Sequence, residues 1–113
     1  MCCEPYESPR LAMTDNPPSV VDELVGAVND FTLSLRSRQG FDEELHSRVV
    51  DALHRCAEAW RGDDCIPRLA ANVLVALEPW MLASADLYEP PLRERIIDEA
   101  IRIGDLAIET VAV

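Results

Sequence analysis

Two histidines and four cysteines are the natural starting points for any chemistry in this chain. Glu43-x-x-His46 has the i, i+3 spacing with which helices of di-iron carboxylate bundles turn two ligands onto one face. Such a centre needs a second Glu-x-x-His and two further glutamates projecting inward from other helices. The nearest echo, Asp51-x-x-His54, falls on the same helical stretch and faces elsewhere around it. The acids of the other helices sit mainly on outer faces, so no metal site and no cofactor is expected. His54 and Cys56 are two residues apart, roughly 200° around a helix, and do not easily converge on one zinc ion. Cys56 lies in the middle of an apolar stripe and reads as a small core residue. Cys65, where the third helix opens, reads as a free thiol with at most a hint of reactivity. A Cys56–Cys65 disulfide is sterically conceivable, but a reducing cytosol argues against it.

Catalysis by a nucleophile and a base would need a serine or cysteine brought to His46 or His54, and the sequence names no partner for either. His46 flanks an apolar face, while His54 points to solvent. Asn72 stands within an apolar run, where a buried amide must find hydrogen-bond partners at a neighbouring helix, a loop or a dimer axis. A pocket between helices bounded by Trp60, Trp80 and Met81, with His46 and Asn72 nearby, is the one candidate ligand site. The four glycines, Gly26, Gly40, Gly62 and Gly104, are far apart, which excludes a phosphate-binding loop.

Charge narrows the partners. The formal net charge is −11, with acids in every segment, a field that repels phosphate backbones and anionic lipid. Arg36, Arg38 and the Arg93, Arg95, Arg102 set are interleaved with or followed by acids and form no basic face. No nucleic acid and no membrane is expected as a partner; a solvated acidic surface, or docking onto a basic protein, is. All ten basic residues are arginine, which fits coding bias in a GC-rich bacterial genome, or else selection against amine-directed tagging. The N-terminus lacks a cationic start and an apolar core, and no apolar run approaches the ~20 residues of a span, so the cytoplasm is the expected setting.

The elements that would position these residues are helices. Residues 1–18 hold Pro5, Pro9, Pro17 and Pro18 and little periodicity, and read as an extended or disordered arm. Met13 is an alternative start, which would remove Cys2 and Cys3. Lipidation of those cysteines is opposed by their acidic neighbours. Val20, Val21, Leu24, Val25, Val28, Phe31 and Leu35 recur at spacings of three and four behind an N-cap at Ser19. Asp42 caps a second helix with Leu45, Val49, Ala52, Leu53, Cys56 and Trp60 on one face. The third, around Leu69–Leu77, is apolar on almost every side and predicts burial all round, with Pro67 in its first turn and Pro79 kinking or ending it. The fourth runs from about Leu92 to Thr110 and carries two adjacent apolar rows. One of these, Ile97, Ile101, Gly104 and Ile108, exceeds what a small bundle core needs.

The sequence therefore predicts an all-α, antiparallel four-helix bundle over residues 19–113, preceded by the arm. It points to a small acidic interaction or regulatory protein rather than an enzyme, of the immunity, antitoxin, anti-activator or adaptor type. Self-association as a homodimer through Ile97, Ile101, Gly104 and Ile108 is expected. The alternative is a small-molecule-binding bundle or cofactor-independent enzyme with its pocket near Trp60, Trp80 and Met81.

Overall fold

The computed structural model describes residues 19–62 and 65–111. The arm predicted over residues 1–18 lies outside them. The described residues form four helices and no strand: α1 (Val20–Arg36), α2 (Glu43–Ala59), α3 (Arg68–Ala85) and α4 (Leu92–Val111). Ser19 caps α1 by accepting from the Asp22 N–H, and Asp42 caps α2 by accepting from Glu44 and Leu45. Each cap satisfies donors that the first helical turn leaves unpaired.

Packing follows the apolar stripes. Leu24, Val28, Phe31 and Leu35 of α1, Val49, Leu53 and Cys56 of α2, Leu77 and Met81 of α3, and Ile96 and Ala100 of α4 lose all solvent contact. Each large side chain so buried stabilises the fold by about 1.5–3 kcal/mol before entropy is counted. Thr32 and Thr110 occupy buried helical positions by donating their hydroxyls to the carbonyls of Val28 and Leu106, both at 2.8 Å.

Helix order in space differs from order in sequence. α1 packs on α2 and α3, and α4 packs on α3 and α2, whereas no Cα of α2 comes within 8 Å of one in α3, nor any of α1 within 8 Å of one in α4, so these pairs lie diagonally across the core. Ion pairs Arg55–Glu23 and Arg48–Asp30 join α2 to α1, and Arg95–Glu43 joins α4 to α2 beside the close approach of His46 to Glu99. At one end Tyr88 ties the connections together, its hydroxyl donating to the Leu35 carbonyl at 2.8 Å and accepting from the Gly40 N–H at 3.1 Å. Gly40 takes φ +93°, a conformation that favours glycine.

Helix α3 corrects three expectations. Pro67 is its N-cap, one position before the helix, and supplies no side-chain cap. Pro79 lies inside the helix and does not end it, since the helix continues to Ala85. Proline removes the N–H that would donate to the Val75 carbonyl, and it does so on the open face of the helix, where Val75 and Pro79 are both exposed. Most importantly, α3 is not buried all round. It stands between α1 and α4 with its remaining arc in solvent, so that Leu69, Asn72, Val75, Pro79, Trp80 and Leu82 are exposed.

Candidate functional site

The most apolar helix of the chain thus has an open face, and two grooves run along its sides. The first, about 440 Å³, lies between α3 and α4 and is lined by Leu74, Val75, Glu78, Pro79, Leu82, Gly104, Ala107, Ile108 and Val111. Helical spacing explains the set. Residues 75, 78, 79 and 82 recur at three and four on α3, and residues 101, 104, 108 and 111 do so on α4, so the two rows face one another across the seam. Val75 is 73 % exposed, Ile108 67 % and Ile101 49 %, and Leu82 and Val111 are exposed as well. Five of the nine exposed large apolar side chains therefore flank one seam, a concentration that scattered surface residues do not produce.

At the base of this groove Glu78 lies across Gly104. A Cβ added at Gly104 would collide with the Glu78 carboxyl group, so the glycine makes the space that the acid occupies. The carboxylate makes no hydrogen bond or ion pair there. Beyond Ile101 and Ile108, the outer arc of α4 carries exposed Glu94, Asp98, Asp105 and Glu109. The groove is apolar in its walls and negative at its base and along one rim.

The second groove, about 370 Å³, lies between α1 and α3 and is lined by Asn29, Thr32, Arg36, Trp80, Ala83, Ser84 and Leu87. Its floor hydroxyl, Thr32 Oγ1, already donates to Val28, which leaves Trp80, 41 % exposed, and the Arg36 guanidinium at the rim.

His46 faces neither groove. Its ring packs against Phe31 and Phe41, with centroids 5.6 and 5.0 Å away, and Arg95 sits 4.5 Å over the Phe41 ring. Nε2 is 3.4 Å from Glu99 Oε1, near enough for charge attraction, yet this buried nitrogen makes no hydrogen bond. Burial holds the imidazole below its ordinary 6.5, outweighing Glu99 and Glu43, which pull it upward, while Arg95 adds to the lowering. His46 is thus a neutral ring wedged between aromatic side chains. Cys56 is fully buried, and burial, with a smaller push from Glu23, raises its thiol to about 11.

The residues expected to bound a pocket are dispersed. Met81 is in the core, Trp60 is buried at the end of α2, Asn72 is exposed, and only Trp80 lines a groove. His46 and Trp60 are separated by about 21 Å of helix. Of the four α4 positions expected at an interface, Ile101 and Ile108 are exposed, Gly104 is buried beneath Glu78, and Ile97 is half-buried against the core. Sequence reasoning missed the α3 side of this seam, Val75, Glu78 and Leu82. Their spacing of three and four was the available signal, masked by the uniform apolarity of the helix.

Among the described residues no group of three or more histidine, cysteine or acidic side chains could hold a metal ion. No helix among them is long and apolar enough to cross a membrane. No family model, curated protein or solved structure matches the chain.

Proposed function

We propose that this chain is a non-enzymatic interaction module that acts by binding a protein partner through the α3–α4 face. The observation that carries the reading is the exposure of Val75, Leu82, Ile108 and Val111 along one groove, with Ile101 exposed one turn further along α4. Leaving these side chains in water forfeits about 1.5–3 kcal/mol for each that a partner would fully cover. The scaffold is an antiparallel bundle of two helix pairs, a reading supported by the order of the Glu23–Arg55 and Asp30–Arg48 contacts. A cytoplasmic regulator or adaptor, relieving or blocking its partner, fits this surface and the −11 net charge.

Self-association through the same face is the second reading, favoured by the paired exposure of Ile101 and Ile108 on one helix. The test of the first is affinity capture from the source cells with the wild type and with the Val75→Asp/Ile108→Asp double variant, both checked for helicity. A stoichiometric protein held by the wild type and lost by the variant is expected. Capture of no such protein, or equal capture by both, would refute it.

A further inference from the structure

We propose that the occupant of the α3–α4 groove is a basic amphipathic helix of another protein, its apolar stripe against Val75, Leu82 and Ile108 and a lysine or arginine reaching Glu78. The inference rests on the interaction reading above and adds the chemistry of the partner.

Shape and charge argue together. The groove has the form in which amphipathic helices are received, two parallel rows of apolar side chains with an open trough between them. Its polar groups carry one sign. Glu78 lies at the base without an ionic or hydrogen-bonded partner among the described residues, and Asp98, Asp105 and Glu109 stand exposed along the α4 rim. On α4, Arg102 pairs with Glu99 and Arg95 with Glu43, away from the seam, and Arg93, its Nε buried without a hydrogen-bond partner, lies in the first turn, about 16 Å of helix from Gly104. Arg68, at the far end of α3, is the cation nearest in sequence on that helix.

A second copy fits the shape and fails on charge. In a two-fold dimer each patch meets itself, so the acidic rim and Glu78 of one copy would enter the field of the same groups in the other. Like charges brought together across an interface suppress association, whereas cations placed opposite would strengthen and orient it. With 21 acidic residues against ten arginines and no lysine, a second copy brings net like charge to the patch.

The test uses the full chain and two synthetic helices of about 18 residues, long enough to span the groove at 1.5 Å per residue. Both carry leucines at spacings of three and four; one has lysines flanking the stripe and the other glutamates. Fluorescence anisotropy should show the lysine helix binding at least about tenfold more tightly than its twin, and more weakly as salt rises from about 50 to about 300 mM. Glu78→Gln and Ile108→Asp should each weaken it about fivefold or more, and Leu33→Asp, on an exposed site away from both grooves, should not. Ile108→Asp makes the surface more acidic, so a merely electrostatic attraction would strengthen there; strengthening overturns the proposal. Val75→Asp repeats the test from α3, with circular dichroism confirming that each variant folds. Equal binding of the two helices also overturns it. If neither helix binds and sedimentation shows a dimer that Ile108→Asp converts to a folded monomer, the occupant is a second copy and the interaction reading survives. If neither helix binds, the chain is monomeric and capture from cells fails, both readings fall.

Discussion

Gly104→Ala separates what the groove does for stability from what it does for recognition. Gly104 is helical and buried, and glycine in a helix interior is about 0.8–1.0 kcal/mol less favourable than alanine. Against this gain stands the collision of the new methyl group with the Glu78 carboxyl. The clashing atoms are the far end of a flexible side chain with no hydrogen bond to lose, so rotation towards solvent relieves the contact. Glu78 Cβ stands at 3.4 Å from the new carbon, the edge of ordinary contact, and needs little adjustment. Confining the side chain offsets part of the gain, leaving a net stabilisation of about 0.5–0.8 kcal/mol. For a domain of this size that raises the melting temperature by roughly 3–6 °C. Thermal and urea melts followed at 222 nm provide the measurement, with the lysine helix titrated in parallel. The expected pairing is a more stable protein that binds the basic helix less well, because the carboxylate has left the base of the groove. A lowered melting temperature would refute the reasoning, showing that Glu78 is fixed over Gly104 by something stronger than packing.

Three further outcomes follow from the same geometry. His46 has its folded-state pKa lowered below 6.5 by burial, so as pH falls through that value the unfolded chain takes up a proton that the native state refuses. Stability should therefore decline from pH 7 downward and level off only below the native pKa, and His46→Gln should flatten that slope in urea melts; an unchanged slope would contradict the assignment. Tyr88→Phe leaves the Gly40 N–H without its acceptor, while the Leu35 carbonyl keeps the Arg38 N–H, so a loss of about 1–2 kcal/mol in urea unfolding is expected and a loss near zero would show water filling the gap. Cys56, buried with its thiol raised to about 11, should resist iodoacetamide in the folded protein at pH 8 and react once urea unfolds it, as read by peptide mass.

The helices themselves were legible because local rules decide them. Ser19 and Asp42 cap where their side chains can reach free N–H groups, and the stripe from Val21 to Leu35 meets the core as its period requires. Placement of α3 was not legible. Uniform apolarity removes the moment that orients a helix, and burial on all sides is then the natural reading. The chain instead has too few helices to surround it, because α2 turns to α4 and leaves α3 two neighbours. The α4 row from Ile97 to Ile108 could be read as excess apolar surface, since the counting involves one helix. Glu78 over Gly104, and His46 between Phe31 and Phe41, bring together residues from different helices, and no spacing within one segment announces them.

The diagonal placement of α2 and α3 also bears on how the chain is expected to assemble. Each sequential pair, α1 with α2 and α3 with α4, closes over a short connection and loses little chain entropy in doing so. Contacts between the pairs join residues about fifty positions apart, such as Thr32 and Ser84 on one groove, and come later on the usual dependence of rate on sequence separation. Of the connection from α2 to α3, Trp60 is buried in the core and Ile66 packs against it, so the chain stays docked on both sides of the crossing. A single cut there would leave two fragments, each an incomplete half with a bare apolar side, and each the other's complement. Because Leu24, Val28, Leu77 and Ile96 share one core across the two pairs, fragments mixed after such a cut are expected to recover helicity together that neither holds alone.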